Sequence, residues 1–229
     1  MDFLKVNYES QKTILASFDT IADKFSKDIQ LKVNDEYYRI VDFEFYTYSE
    51  KLPDPHTYKN DLQLQSNKLY LHGSGIDITF GDGKNYGGIL IRSVVKLYGG
   101  SDPKSGFMKK QYDGPQKVAT ELFSNFNLLN GKGVNTIQFL DIEGHNQDCS
   151  FVPGMSMLKT SRFGLTPKAN DPLGFYLNLK LRYVILLKAF PNFSQTIKDK
   201  ETVVKRMLKN GELDIEQANL ILGYTMKLV

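Results

Sequence analysis

Residues 37–48 have the sequence YYRIVDFEFYTY, and this stretch decides the fold of the 229-residue chain. It is rich in aromatic and β-branched residues that alternate with polar ones, as in a strand whose two faces meet different surroundings. The alternation assigns one face to Arg39, Val41, Phe43, Phe45 and Thr47, and the other face to Tyr38, Ile40, Asp42, Glu44, Tyr46 and Tyr48. We therefore predict a long strand within a sheet.

The sequence on either side of this strand predicts further strands and helices. Apolar or alternating runs bounded by turn residues predict strands at residues 67–73, 75–81, 87–98, 135–144 and 171–180. Apolar residues spaced by three and four, together with capping signals, predict helices at residues 12–28, 114–127, 181–190, 200–211 and 213–229. This order predicts an α+β fold with one core domain, residues 1–180, and a C-terminal helical extension, residues 181–229, packed on it.

The composition is that of a folded globular protein. Hydrophobic residues make up 41% of the chain and charged residues 24%, which excludes disorder and a coiled coil. The single cysteine, Cys149, excludes a disulfide framework and a paired-cysteine zinc site. No apolar run reaches the roughly 20 residues that cross a bilayer. The net charge of +3 is too small for a protein that coats nucleic acid. We expect a soluble, cytoplasmic protein without a membrane partner.

Glu44 is the first candidate for chemistry, because it lies in the middle of the strand among aromatic residues. Burial would raise the pKa of its carboxyl group unless a cation compensates, as at many catalytic bases. Arg92, in the apolar sequence GGILIRSV, is the expected cation, since a guanidinium group in such a strand needs a carboxylate or a polar cavity. The pair fits a catalytic site, and it fits equally well a buried ion pair of structural use alone.

Two other patterns indicate weaker candidates. Asp141, Glu143 and His145 alternate along a predicted strand and share a face, as metal ligands can, although the solvated face of an edge strand produces the same pattern more often. The glycine-rich stretches HGSG and FGDGKNYGG match neither a P-loop nor a dinucleotide fingerprint, and hairpin turns explain them. We therefore expect no metal ion and no cofactor.

Several of these segments follow one another in the order and spacing of a known family. They are FDTIADKF, RIVDFEFY, DPHT, NKLYLHGSGIDIT, ILIRS, GPQKVATELFSN and SRFGL with DPLGFY, and they span about residues 15–180. In this order they resemble the alkyladenine (3-methyladenine) DNA glycosylases. The resemblance implies a single domain with a curved, mainly antiparallel sheet flanked by helices.

The resemblance also implies an activity. Glu44 matches the glutamate that activates water, and Arg92 matches the arginine that helps to hold this water and the carboxylate. The implied function is that of a monofunctional DNA N-glycosylase, which flips a damaged or modified purine out of the helix and hydrolyses its N-glycosidic bond. The carboxylate of Glu44 should then stand beside a cavity shaped for a purine, close to the anomeric carbon.

The residues that would bind the base follow from the same resemblance. Tyr46 and His56 match the residues that sandwich the extruded base, and Tyr70 or His72 would complete the aromatic wall. Asp77 stands where the family has an asparagine that lines the base pocket. A carboxylate can only accept hydrogen bonds, so an ionised Asp77 favours a base with an exocyclic amine or a positive charge. The alternative is that Asp77 is a solvated hairpin residue.

Two further departures from the family concern the nucleic acid. The family's hairpin carries a tyrosine that wedges into the duplex, whereas the matching residues here are Gly73, Ser74 and Gly75. Gly174 replaces the arginine of the family's P-L-R-F-Y segment. Both changes make paired DNA a less favourable ligand, so the expected partner is DNA, single-stranded DNA included, or a nucleotide-like small molecule. The alternative function is the same fold acting on, or only binding, a free nucleoside, nucleotide or nucleotide-like signal.

Overall fold

The computed structural model describes residues 2–97, 108–124, 126, 135–141, 157–186 and 200–226. Within these ranges the helices are α1 Gln11–Lys27, α2 Pro115–Ser124, α3 Phe175–Asn178, α4 Lys200–Lys209 and α5 Ile215–Leu222. The strands are β1 Ile29–Val33, β2 Glu36–Tyr48, β3 Ser66–His72, β4 Gly75–Phe80, β5 Tyr86–Leu97, β6 Met108–Asp113, β7 Ile137–Asp141, β8 Met157–Thr160 and β9 Arg182–Ile185. Short 3-10 turns lie at Asp2–Leu4 and Asp61–Leu64.

All strand pairs of the sheet are antiparallel, and the sheet is curled around the long central pair of β2 and β5. The main strand order is β3-β4-β5-β2-β1-β7. One edge of β2 pairs with β5. Its other edge pairs with two strands, because β1 pairs with the first residues of β2 and β9 pairs with Asp42, Phe43 and Glu44. The register of β2 against β5 shifts between Ile40 and Asp42, at the point where β2 changes partner. The fold is therefore α+β, with a forked antiparallel sheet.

Helix α1 confirms the helix predicted at residues 12–28 and covers one face of β2. A capping box at Ser10 begins the helix. Phe18 stacks on Phe45 with ring centroids 4.3 Å apart, and Phe25 meets Phe43 edge to face at 5.2 Å. These rings are buried, and they fix the odd-numbered residues of β2 in the core. The even-numbered residues from Asp42 to Tyr46 consequently point to the opposite face.

The strand predicted at residues 171–180 is wrong, because Phe175–Asn178 form the single turn of α3. The two carboxylate oxygens of Asp171 accept hydrogen bonds from the amides of Phe175 (2.7 Å) and Tyr176 (3.0 Å). Such a side-chain cap satisfies the free amides of a first helical turn and favours the turn over an extended strand.

The helix predicted at residues 181–190 is wrong over the residues described, since Arg182–Ile185 form β9 between β2 and β8. Residues 187–190 lie outside the described ranges. The run RYVI is aromatic and β-branched, and pairing with β2 decides its conformation. The sheet therefore continues past residue 180.

Helix α4 is formed as predicted, whereas α5 is shorter than the helix predicted at residues 213–229, because it ends at Leu222 with Gly223 as a left-handed C-cap. Asp214 caps α5 with Gln217 as its reciprocal partner. Their apolar residues form a second cluster with Leu158 of β8 and with Val184 and Leu186 of the β9 region. The two helices thus contact the sheet through its β8–β9 strands. Among the helices of the described residues, none combines the length and the apolar character needed to cross a bilayer.

Candidate active site

A cavity of about 290 Å³ lies on the face of β2 and β5 that is turned away from α1. Its walls come from β2, β3, β4 and β5, the loop after β2, the first residue of α2 and residues 163–168. Of the residues singled out in the sequence, those that line the cavity are Tyr46, His56, His72, Asp77 and Arg92. Glu44 lies behind the wall, and Tyr70, which is partly exposed, does not line the cavity.

The carboxylate of Glu44 is fully buried directly behind the wall. Its Oε1 accepts a hydrogen bond from the Phe163 amide at 2.8 Å and lies 3.2 Å from Nη1 of Arg92. Its Oε2 accepts a hydrogen bond from the hydroxyl of Tyr46 at 2.8 Å. Because Tyr46, Arg92 and Phe163 all line the cavity, three cavity residues bind the carboxylate and separate it from the open space.

Burial raises the pKa of Glu44, and the Arg92 charge and the Phe163 amide oppose this rise only in part. Burial and the negative charge of Glu44 also raise the pKa of Tyr46 well above its usual value. The Tyr46 hydroxyl therefore stays protonated and acts as the donor in its bond to Glu44.

Arg92 belongs to a buried network of charges. Asp42, two residues before Glu44, is bound by both Nε (2.9 Å) and Nη2 (2.7 Å) of Arg182. Nε of Arg92 lies 3.8 Å from Oδ2 of Asp42 and has no hydrogen-bond partner among the residues described. Two arginines thus face two carboxylates, which lowers the cost of burying each charge.

Asp77 is not the solvated hairpin residue that was the alternative, because its side chain is 3% exposed. Oδ1 of Asp77 lies 3.0 Å from Nε2 of His72, and Oδ2 accepts a hydrogen bond from Nε2 of Gln63 at 3.0 Å. The amide of Ser74 donates to Nδ1 of His72, which assigns the proton of a neutral imidazole to Nε2. Asp77 therefore accepts hydrogen bonds from two side chains at the cavity wall.

Gln63 is a site residue that the sequence analysis missed. It is fully buried in the 3-10 turn Asp61–Leu64, and its Oε1 accepts a hydrogen bond from the Asn60 amide at 3.2 Å. This bond fixes the side chain so that Nε2 points to Asp77. Gly88 of β5 leaves the space for both groups, since a Cβ atom there would lie 2.5 Å from Oδ2 of Asp77 and 2.8 Å from Nε2 of Gln63. The capping box around Asn60 is the only sequence signal that marks Gln63.

His56 faces the cavity from the loop after β2. Its ring is buried, and Nε2 has no hydrogen-bond partner in the described part of the chain. Burial lowers the pKa of His56, so the ring is neutral near neutral pH. Tyr46 stands in the same cavity and offers an aromatic surface. A flat ligand in the cavity would meet both rings, and it would meet one unsatisfied polar atom.

At the rim of the cavity, hydrogen bonds join the β3–β4 turn to two neighbouring segments. The Tyr58 hydroxyl lies 2.9 Å from Oγ of Ser74 in the β3–β4 turn, and Nε2 of Gln116 in α2 donates to the carbonyl of Gly73. The Tyr58 ring meets His72 edge to face at 4.9 Å, and Tyr70 lies against the same imidazole at 4.9 Å. The tip of the hairpin is thus bound on two sides and carries no bulky side chain.

The candidate metal ligands remain largely outside the structure. Glu143 and His145 lie beyond the described residues, and only Asp141 falls within them. In the ranges that the structure covers, no three His, Cys, Asp or Glu side chains come together in an arrangement that could hold a metal ion.

Comparison with known proteins gives one relative. The chain is similar to "Uncharacterized protein L759" of Acanthamoeba polyphaga mimivirus, with 26% identity over 216 residues, which covers 83% of this chain and 92% of that protein. No protein-family model matches the sequence. The relative's name states no activity.

Proposed function

We propose that the protein hydrolyses N-glycosidic bonds of purines, with the base bound in the aromatic cavity and Glu44 as the general base. The observation that carries the proposal is the position of the Glu44 carboxylate, held by Arg92 directly behind Tyr46 in the cavity wall. The cavity, about 290 Å³, is near the lower end of the range for small-molecule sites, which suits a nucleobase or a nucleoside.

The residues supply what this hydrolysis needs. The bond between C1′ and the base nitrogen breaks, and its electron pair leaves with the base. The oxygen of water bonds to C1′, and Glu44 takes the proton of that water. The ionised carboxylate also stabilises the positive charge that develops on the sugar. Arg92 orients the buried carboxylate and opposes part of the rise in its pKa, which favours the ionised form that the reaction needs.

In the proposed mechanism, the hydroxyl of Tyr46 must leave its position on Glu44. In the structure this hydroxyl is bound to Oε2 of Glu44 and blocks access from the cavity to the carboxylate. Substrate binding must exchange it for the attacking water.

Asp77 bears on the choice of base. Its carboxylate already accepts from His72 and Gln63, and its remaining lone pairs face the cavity as acceptors. A base that presents an N–H group gives this carboxylate a further donor, whereas a base that presents only acceptors places its lone pairs against those of Asp77. The proposal therefore favours adenine-like bases with an exocyclic amine, or cationic bases.

A second candidate function is the binding of a free nucleoside or nucleotide without hydrolysis. Two observations favour it: the Glu44 carboxylate is fully covered, and the hairpin tip at Gly73 and Ser74 is bound to its surroundings instead of projecting toward a duplex. The two candidates share the cavity and differ in whether Glu44 meets water.

The experiment measures base release from duplex DNA, single-stranded DNA and nucleosides that carry methylated adenine or 2-aminopurine. The Glu44→Gln variant should lose release by about 10²- to 10⁴-fold while it keeps its fold and binds the base. Glu121→Gln is the matched control, because Glu121 is also a glutamate paired to a cation, Lys96, and is largely buried, but it lies outside the cavity. Unchanged release by Glu44→Gln removes Glu44 from the mechanism. Base binding without release by the wild-type protein identifies the second candidate instead.

A further inference from the structure

A buried ion pair behind the cavity joins the two walls that would enclose the base. The side chains of Arg162 and Asp54 are both 0% exposed, and Nη1 of Arg162 lies 2.5 Å from Oδ2 of Asp54. Neither residue lines the cavity. Arg162 follows β8 in the chain, and Asp54 lies in the loop after β2, so the pair joins segments that are 108 residues apart.

Three further contacts of the pair lead to a residue of the cavity wall or to its neighbour in the chain. The guanidinium carbon of Arg162 lies 4.5 Å from the centre of the Tyr46 ring, and Nη1 donates to the carbonyl of Phe45, just before Tyr46. Oδ1 of Asp54 accepts a hydrogen bond from the amide of His56 at 3.0 Å. One ion pair thus contacts the Tyr46 ring on one side and fixes the backbone of His56 on the other.

The same guanidinium group binds a third segment. Nη2 of Arg162 donates to the carbonyl of Tyr176 in α3 at 3.2 Å, while Nε has no partner in the part of the chain described. Residue 163 follows directly, and its amide binds Glu44. A planar guanidinium group can make these divergent contacts at once, whereas the compact ammonium group of lysine cannot.

We propose that the pair of Arg162 and Asp54 is a positioning device that sets the separation of Tyr46 and His56, so that a flat purine base binds between the two rings only while the pair is intact. The inference rests on the proposed use of this cavity for a base, but it does not require hydrolysis. Binding sites lose affinity when their walls move by fractions of an ångström, and residues locked by a second layer of contacts prevent such movement.

The test measures the binding of free 2-aminopurine, which keeps an exocyclic amine, by its own fluorescence; the chain contains no tryptophan that would overlap with it. Arg162→Lys and Asp54→Asn should each weaken binding by about tenfold or more, which corresponds to about 1.4 kcal/mol. Arg39→Lys is the matched control, because Arg39 is also a buried arginine of the sheet region but binds the carbonyl of Ser26, away from the cavity. Thermal unfolding of each variant verifies the fold.

A double-mutant cycle separates positioning from general destabilisation. If Arg162 acts through the aromatic wall, Tyr46→Ala should weaken binding much less in the Arg162→Lys background than in the wild-type protein. Independent, multiplying effects of the two substitutions overturn the inference, and so does wild-type affinity in both Arg162→Lys and Asp54→Asn. A wild-type protein that fails to bind the probe overturns it as well. If the protein binds the probe but releases no base from any substrate, only the hydrolase proposal is wrong.

Discussion

The hydroxyl of Tyr46 donates a hydrogen bond of 2.8 Å to Oε2 of Glu44, two residues earlier on the same strand. The aromatic wall and the acidic group of the site are therefore one unit. The side chain that would stack on the base also covers the carboxylate that would activate water.

This contact predicts the behaviour of Tyr46→Phe. The substitution keeps the ring for stacking and removes the hydroxyl from Oε2 of Glu44, which leaves that oxygen open to water. Base release should therefore be retained or increased, in contrast to the loss of about 10²- to 10⁴-fold expected of Glu44→Gln. Single-turnover release rates measure the difference. A loss in Tyr46→Phe as large as that in Glu44→Gln would show that the hydroxyl itself takes part in the reaction.

Glu44 should make both activity and stability depend on pH. Because burial raises its pKa, the folded protein favours the protonated form. The stability that Glu44 contributes is therefore fully present below the ordinary glutamate pKa and is lost as pH rises through the raised pKa. Urea unfolding at about pH 5 and about pH 8 should show the wild-type protein losing free energy of unfolding relative to Glu44→Gln.

The rate of base release should increase as pH rises, in contrast to the stability, since only ionised Glu44 accepts a proton. The rate should rise with pH through a midpoint above the ordinary glutamate range and then level off. A midpoint at or below the ordinary glutamate value contradicts the assignment of Glu44 as a desolvated general base.

The two donors on Asp77 predict that an asparagine is not tolerated at this position. Asp77→Asn places an NH₂ group opposite either Nε2 of Gln63 or Nε2 of His72, and the mismatch should lower the free energy of unfolding by about 1–3 kcal/mol. The further change Gln63→Glu supplies an acceptor for the new amide, so the double variant should recover much of the loss. Urea unfolding of the two single variants and the double variant measures the coupling; additive losses would contradict the arrangement.

The β3–β4 turn carries no bulky side chain, which predicts that adding one increases base release from duplex DNA. Ser74→Tyr adds a ring at an exposed position of the β3–β4 turn, where it can fill the gap that a flipped base leaves in a duplex. Release from duplex DNA should increase relative to release from single-stranded DNA. Ser74→Ala is the control, because it also breaks the bond to Tyr58 but adds no ring. Equal duplex-to-single-strand ratios for the two variants would exclude the missing wedge as the reason for weak action on paired DNA.

The local pattern of the sequence predicted the central part of the molecule. Alternation along residues 37–48 assigned the faces of β2, and the contacts of Phe43 and Phe45 with α1 agree with that assignment. The carboxylate and cation of the site were also expected, and Glu44 and Arg92 lie 3.2 Å apart between their closest atoms. Strand periodicity is a local signal, so it survives in the fold whenever both faces of the strand are occupied as expected.

The parts that were missed depend on partners distant in the chain. Residues 182–185 form a strand because β2 pairs with them, and their aromatic and β-branched composition alone is too weak a signal to distinguish them from the start of an apolar helix. Arg162 lies in the segment SRFGL, whose sequence does not reveal that Asp54 faces it. Gln63 belongs to a polar loop in which only its capping bond stands out. Buried polar contacts between distant segments are not encoded in spacing.

The fork in the sheet bears on how the protein is made. Asp42 and Arg182 bind each other across 140 positions of the chain, and Glu44 meets the amide of Phe163 across 119. During synthesis, the first half of the chain leaves the ribosome long before these partners exist, and its carboxylates stay hydrated until β9 arrives. Glu44 thus acquires the surroundings that raise its pKa only after Phe163 and β9 have been synthesised and have packed against β2.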